Sequence, residues 1–451
     1  MAMNRTNVSR REFLTTASTG VVAAIAASPL AGAEILNKKA GKLACAGGQP
    51  VRTKGWPSWP VWDRSAEDEI LAVLRSGNWF RGSGTRVTEF EKRYAELLGA
   101  KSCLATASGT TALITALHTV GVEAGDEVIV SPYTFVASYN VIFMVKALPV
   151  FADSDAETFT IDPARIEERI TERTRAILPV HILGLPAAMD PILAIARKHR
   201  LVVVEDACQA WLAEYKNQKC GLLGDLGCFS FQNSKHLPAG EGGAVVGNDE
   251  ALVDRCHAFH NCGRPHGAFQ PPGSNPTRGT NFRMQEFQAV ILMSQMKRLE
   301  KDTRLRGENA QYLTSRLQDI PGIVPFKPNP GATRAVYHLY PFRYKKELFN
   351  QAPRQRFLEA LGAEGIPCSG GYGPANKDGL LEEALNSKSY RRLFSKERLD
   401  RYRQENVLPR NDQLCAEAIW FTQNMLLGTR QDMDDIADAI EKIYENRDKL
   451  A

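Results

Sequence analysis

The chain has 451 residues, 43% of them hydrophobic, which is enough to bury a large core and long enough for two or three domains. Lys and Arg outnumber Asp and Glu by only 56 to 51, and no basic tract interleaves with aromatics, so the composition argues against nucleic acid as a partner. Nine cysteines without paired CxxC spacings argue against a disulfide framework; Cys103, Cys208 and Cys228 lie in apolar runs and read as small buried hydrophobes.

Residues 1–33 read as a leader rather than as part of the fold. Ser9-Arg10-Arg11-Glu12-Phe13-Leu14 resembles the twin-arginine export motif, followed by a mildly apolar stretch from Thr15 to Ala27 and an A-x-A site at Ala31-Gly32-Ala33. The apolar stretch is too short and too rich in Ala, Thr and Ser for a stable membrane span. The expectation is export to the periplasm if the signal is used, and a cytoplasmic protein otherwise. Cys45 to Pro60 is rich in Gly, Pro and Trp and reads as an ordered arm. Ser65 with Asp68 looks like a helix start, with Ile70, Val73 and Leu74 at helical spacing and Gly77 as the stop.

Phe90 to Leu98 reads as a further helix and Cys103 to Thr106 as a strand. Ser108-Gly109-Thr110-Thr111 then opens a helix with Leu113, Ala116, Leu117 and Val120 on one face. Small hydroxyl residues and glycine at a helix N-terminus suit an anion, although the same pattern serves as an ordinary cap. Strands follow at 128–130, 148–151, 176–180 and 201–204, with a helix from Asp190 to His199 before the last. This repetition argues for a mainly parallel sheet with helices on both faces. No GxGxxG or P-loop lysine pattern follows any strand, so dinucleotide and nucleoside triphosphate binding have little support.

The apolar run Val202-Val203-Val204 ends in Glu205-Asp206, and ligands of open α/β sheets sit at the carboxyl ends of strands. The next apolar run, Cys228 to Phe231, carries Ser230, and Lys235 follows among small and polar neighbours. Alone, Asp206 reads as a helix cap and Lys235 as a solvated lysine. Together, an acid, a hydroxyl and a lysine suit a phosphate-bearing, electron-accepting cofactor held covalently, and pyridoxal 5'-phosphate is the candidate. Cys256, His257, His260 and Cys262 have a spacing that metal ligands can use, but no second pair recurs downstream, so they read as a helix end. After Gly279 a long amphipathic helix is expected to run to about Glu300. The Pro-rich stretch 321–330 marks a boundary, followed by a strand over 336–344, a helix over 354–361 and a terminal helix over 432–450.

The segments Ser108-Gly109-Thr110, Gly125-Asp126-Glu127-Val128, Thr134-Phe135, Glu205-Asp206-Ala207-Cys208-Gln209, Phe229-Ser230-Phe231, Ser234-Lys235 and Gly240-Glu241-Gly242-Gly243-Ala244 resemble, in order, the DegT/StrS-type sugar aminotransferases. The resemblance covers residues 43 to 446 and implies a fold-type I α/β transferase with a mainly parallel seven-stranded sheet. Its implied organisation is a large cofactor-binding domain over 34–320, arm included, and a smaller C-terminal α+β domain over 321–451.

By the same resemblance, Lys235 bonds the cofactor and moves the proton, Asp206 partners the pyridine nitrogen and Gln209 meets the ring hydroxyl. Ser230, Gly109 and Thr110 hold the phosphate and Phe135 stacks on the ring. Asn281 matches a position that reaches the phosphate of a neighbouring subunit, which implies a homodimer with shared active sites. Cys208 replaces a residue that is usually alanine. Dehydratase relatives carry a histidine in place of the lysine; here His236 follows a lysine that is present, so transamination outranks dehydration. Trp56-Pro57-Ser58-Trp59-Pro60, Gly371-Tyr372-Gly373-Pro374 and Asn424-Met425-Leu426-Leu427-Gly428 resemble the branch of keto-cyclitol aminotransferases and aminohydroxybenzoate synthases. His338 and Tyr340 fall where the small domain of the family faces substrate, and both read as core packing. The expected reaction is amino transfer from glutamate or glutamine to a keto-sugar or keto-cyclitol. The alternatives are a sugar dehydratase or aromatising synthase on the same fold, and a non-catalytic regulatory protein that binds the same cofactor.

Overall fold

The computed structural model describes residues 41–450, and the expected export leader lies outside them. Seven strands form the main sheet: β1 (Ser102–Thr106), β2 (Glu127–Val130), β3 (Leu148–Phe151), β4 (Thr174–Leu178), β5 (Val202–Asp206), β6 (Leu226–Ser230) and β7 (Gly243–Gly247). Their spatial order is β1-β7-β6-β5-β4-β2-β3, and only β7 runs antiparallel to its neighbours. The mainly parallel α/β architecture expected from the repeating units is therefore present.

The apolar runs are continuous because both faces of the sheet are covered. Val128 and Val130 pack with Leu113, Leu117 and Ile142 on one side. Ile129, Ile177 and Val203 pack with Ile192 and Ala196 of helix Met189–His199 on the other. Towards β7, that second side is covered by Phe90 and Tyr94 of helix Arg86–Leu98 and by Ala289 and Leu292 of the long helix. Strand β3 is an edge, which is where Pro149 is tolerated. Its backbone is capped from downstream, where the hydroxyls of Tyr390 and Tyr402 donate to the Ala147 and Pro149 carbonyls at 2.5 and 2.8 Å.

A second, antiparallel sheet of three strands (Ile323–Pro325, Leu339–Tyr344, Ala418–Thr422) follows the main one in the chain. No helix among the described residues is long and apolar enough to cross a membrane.

Three boundaries differ from expectation. The first helix spans Glu67–Ser76, and its entry is capped by Asp63, which accepts from the Ser65 backbone N–H at 2.9 Å. The terminal helix is Arg430–Glu445. The long helix runs Glu286–Leu317, well past Glu300. Its apolar period lapses at residues 300–309 because the buried positions there are Asp302, Thr303, Arg306 and Asn309. Three of them find polar partners: Asp302 accepts from Arg298 at 2.6 Å, Arg306 donates to Gln423 at 2.8 Å through Nε alone, and Asn309 donates to the Leu426 and Gly428 carbonyls at 2.9 Å; the Thr303 hydroxyl is buried without one.

The N-terminal arm is strapped down by buried charge. Glu364 accepts from the backbone N–H groups of Ala44 and Val51 at 2.9 and 3.0 Å and pairs with Lys442 at 2.8 Å, and both side chains of that pair are buried. Arg52 reaches Asp432 and Asp435 at 2.6 and 2.9 Å. The strap ends at Trp59, whose indole N–H donates to the Lys235 carbonyl at 3.1 Å. Glu364→Ala strands a buried ammonium and two backbone donors, and is expected to lower the unfolding free energy by about 3 kcal/mol in a urea titration. A loss below about 1 kcal/mol would show that the strap is held some other way.

Candidate active site

Strand register brings the site together. Asp206 pairs with Cys228 across β5 and β6, so Asp206 and Ser230, two residues beyond its partner, project to the same face. Glu205 projects to the other face. There it accepts from the backbone N–H groups of Gly221, Leu223 and Gly224 at 2.6 to 2.7 Å and pairs with buried His181 at 2.8 Å. His181 Nδ1 accepts from the Ala187 N–H, so its proton sits on Nε2 and points at Glu205. The two adjacent carboxylates thus have separate work: Glu205 organises backbone, and Asp206 faces a cavity.

That cavity has a volume of about 520 Å³ and is lined by Gly109, Thr110, Phe135, Asp206, Gln209, Ser230 and Lys235, together with Ser108, Ser138, Cys208, His338, Tyr372 and Trp420. All of the sequence-derived site residues except Asn281 therefore meet in one hollow. Asn281 lies outside it, bridged to Asn261. A second hollow of about 630 Å³ has Arg81, Glu91, His257 and Arg283 among its lining residues, and Arg81 pairs there with Glu91 at 2.9 Å. The Cys256–Cys262 segment borders that second hollow as the end of helix Glu250–His260. His257 stacks on His266 with ring centroids 3.3 Å apart, and His260 Nε2 stands 3.3 Å from Arg81 Nη1.

At one end of the main cavity is the N-terminus of helix Gly109–Thr119. Ser108 caps it by accepting from the Thr111 N–H at 3.1 Å, and Thr111 returns the bond at 2.9 Å to the Ser108 N–H. The cap leaves the N–H groups of Gly109 and Thr110 without intrahelical partners, and with the helix dipole they make an anion seat beside the Ser230 hydroxyl. Close approach requires the glycine, since a Cβ on residue 109 would lie 2.6 Å from the Ser230 Cβ and 2.8 Å from the Cys208 Sγ. Gly243 serves the same crowding from β7, where a Cβ would sit 2.3 Å from the Ser108 carbonyl oxygen.

At the other end, Asp206 accepts from the Ser138 hydroxyl at 2.7 Å and from the Cys208 N–H at 3.1 Å. Thr134 supports Ser138 at 2.7 Å. The carboxylate is held in place with part of its accepting capacity still open to the cavity. Gln209 accepts from the Leu183 N–H at 2.8 Å and donates to the Tyr372 hydroxyl at 2.9 Å, which leaves one amide N–H. Burial pushes the Tyr372 phenol up to about 12, so it stays protonated. Its ring packs on Trp420 at 4.6 Å, and these two aromatics wall the cavity from the C-terminal part of the chain. Phe135 is half-exposed at the mouth.

Lys235 follows β6 in a tight turn, its N–H donating to the Gln232 carbonyl at 2.9 Å. Burial of its amine lowers the pKa from the ordinary lysine range, while Cys208 and Asp206 oppose that shift. A lysine made less basic, facing a fixed carboxylate with an anion seat beside them, fits a phosphate-bearing pyridine aldehyde. Several contributors escaped the sequence reading. Ser138 and Trp420 carry no local signal. Tyr372 stood in a noted motif without a role. His338, read as core, is buried yet places Nε2 3.4 Å from Lys235 Nζ. Tyr340 is core, its hydroxyl bonded to Thr314 at 2.8 Å.

Comparison with known proteins agrees with the resemblance read from the motifs. The model of the DegT/DnrJ/EryC1/StrS aminotransferase family matches residues 62–422. The L-glutamine:2-deoxy-scyllo-inosose aminotransferase of Streptoalloteichus tenebrarius is 36% identical over 421 residues, covering 90% of this chain and 99% of its own. The enzyme of the same description from Streptomyces kanamyceticus is 35% identical, covering 91% and 98%. Among solved structures, 3-amino-5-hydroxybenzoic acid synthase superposes with a TM-score of 0.75 at 29% identity, covering 88% of this chain and 100% of that one.

Gly109→Ala tests the anion seat. The added Cβ must displace the Ser230 side chain, and the dissociation constant for pyridoxal 5'-phosphate, read by spectrophotometric titration, is expected to rise at least about tenfold. Unchanged affinity would place the phosphate elsewhere.

Proposed function

Because the chain belongs to the DegT/DnrJ/EryC1/StrS aminotransferase family, whose members depend on pyridoxal phosphate, we propose that it transfers the amino group of glutamine to a keto-cyclitol. The carrying observation is the convergence of Lys235, Asp206 and the Gly109 helix N-terminus in one cavity. The substrate class rests on the inosose aminotransferases, which match this chain over nearly their whole length.

When bound, pyridoxal phosphate supplies the electron sink that lets nitrogen leave one carbon and join another. The residues of the chain do the rest. Lys235 Nζ, less basic than an ordinary lysine, is the group that would hold the cofactor covalently and, when free, would serve as the base that accepts a proton from the donor's α carbon and, in the second half-reaction, as the acid that delivers one to the acceptor carbon. Asp206, fixed by Ser138 and the Cys208 N–H, holds the proton on the ring nitrogen. The N–H groups of Gly109 and Thr110 with the Ser230 hydroxyl seat the phosphate. The remaining N–H of Gln209 serves the ring hydroxyl, and Phe135 covers the ring. Tyr372 and Trp420 give the acceptor an aromatic wall, a surface suited to the C–H face of a carbocycle.

The likeness to 3-amino-5-hydroxybenzoic acid synthase keeps an aromatising reaction as the second reading. Incubation with amide- or α-labelled ¹⁵N-glutamine and 2-deoxy-scyllo-inosose separates the two, since label in an amino-cyclitol supports transfer and an aromatic product supports the rival. Exposed Trp62, Leu71, Leu74, Trp79 and Phe80 make an apolar face unusual for a free surface. A second copy of the chain covering such a face is the arrangement in which Asn281 would serve its partner's phosphate, and sedimentation velocity tests for that homodimer. Export by the twin-arginine route is proposed on the motif of residues 9–14 alone, and cell fractionation of a tagged chain with Arg10 and Arg11 intact or replaced by lysine tests it.

Lys235→Ala is expected to abolish both half-reactions to a similar degree. Asp206→Asn is expected to slow each by roughly hundredfold, about 2–3 kcal/mol. Full turnover by the Lys235 variant, with exogenous amine excluded, would remove the lysine from this role.

A further inference from the structure

The wall behind Lys235 is built from two histidines and an indole. His338 lies in the turn before strand Leu339–Tyr344, buried, with Nε2 3.4 Å from Lys235 Nζ. The Trp211 ring centroid is 5.9 Å from the same amine, and the His338 ring meets that indole edge-on at 5.8 Å. His236 closes the group, its ring 5.3 Å from Trp211 and 5.9 Å from His338. Nδ1 of His338 and both nitrogens of His236 are buried without a hydrogen-bond partner. Among the described residues, the lysine amine is thus the one hydrogen-bonding contact of the His338 ring.

We propose that His338 is a positioning residue that holds the free amine of Lys235 at the cavity wall while substrate nitrogen occupies the lysine's place. The inference rests on the transferase reading above and adds a device to it. A free lysine side chain has many rotamers, so an amine released into an open cavity loses time to unproductive orientations. One hydrogen bond biases it towards the orientation at the wall.

The chemistry of the ring suits the task. Burial, with the charges of Lys235 and Arg306 nearby, holds the His338 pKa well below its ordinary value, so the ring stays neutral. A neutral imidazole meets the amine in either tautomer: it accepts from an amine N–H when its proton is on Nδ1, and donates to the amine lone pair when its proton is on Nε2. The other ionisable groups around the amine are Asp206, Cys208, His236, Tyr372, Glu241 and Arg306. Among the described residues, only His338 is within hydrogen-bond distance of Nζ.

The test uses cofactor-free protein mixed with pyridoxal 5'-phosphate, following the absorbance change as Lys235 Nζ bonds the aldehyde carbon. One water departs, made of the carbonyl oxygen and two protons from the amine. His338→Phe keeps a ring but offers no partner, and is expected to slow bond formation roughly tenfold, a loss of about 1.4 kcal/mol. It should lower kcat by a similar factor with KM held within about twofold. His338→Gln, which can both donate and accept, is expected to recover most of the rate. Should the phenylalanine variant fail to fold, His338→Leu replaces it in the same comparison. Wild-type rates in a folded His338→Phe protein would overturn the proposal, as would a glutamine variant as slow as the phenylalanine one. Failure of the wild-type protein to take up cofactor would instead sink the transferase reading on which the proposal stands.

Discussion

The pairing of Asp206 with Cys228 between two parallel strands is the constraint on which the rest of the site depends. A slip of one residue would turn Glu205 towards the cavity and Asp206 towards the loop at Gly221–Gly224, because side chains alternate along a strand. The register is protected from such a slip. Glu205 accepts three backbone N–H bonds and a histidine on its own face, so moving it would strand four donors in the interior. Asp206, by contrast, has a serine and one backbone N–H, which leaves it accepting capacity for a ligand. The acid that holds backbone and the acid that faces the cavity are neighbours in sequence, and the sheet separates them.

Lys235 depends on the same frame from the opposite direction. Its carbonyl is tied to Trp59 of the N-terminal arm, its N–H to Gln232, and its amine stands against His338 from the second sheet. Three distant stretches of chain therefore meet on one residue. The arm reaches it only because Glu364, Lys442, Arg52 and Asp432 form buried pairs near the two termini of the described chain. Those pairs are costly to desolvate and worth little as net stability, but they are costly to break singly, which favours one placement of the arm over others.

Much of this was legible in the sequence where one local signal sufficed. The uninterrupted valines of β5, the hydroxyl-glycine run at Ser108–Thr111 and the glycines of the 240–243 turn each announce a backbone requirement within a few residues. What stayed hidden needs long-range pairing. Ser138 reads as an ordinary helical serine until Asp206 is placed beside it, and Trp420 as a strand aromatic until Tyr372 packs on it. The long helix was cut short for a related reason. Its buried face turns polar at Asp302, Arg306 and Asn309, and the partners of the last two, Gln423, Leu426 and Gly428, lie more than a hundred residues further along, so no hydrophobic period marks the burial.

The same distinction explains why the cavity's acceptor side is the least predictable from sequence and the most informative about substrate. The cofactor end is built from backbone donors and short polar side chains, groups set by register and caps. The opposite end is built from Tyr372, on the loop between two strands of the small sheet, and Trp420, on the strand Ala418–Thr422 of that sheet. Among the described residues, no arginine or lysine other than Lys235 lines this cavity. A second anionic group, such as the diphosphate of a nucleotide-linked sugar, would find no cation in the wall of this single chain to offset its desolvation. A neutral polyhydroxylated ring has no such charge to desolvate, its C–H face suits the paired aromatics, and Gln232, Ser234 and Glu241 line the same cavity with polar groups. The wall contributed by this chain thus offers an aromatic face and no cation other than Lys235 among the described residues, and in a site shared between subunits any charge partner for a diphosphate would have to come from the second subunit.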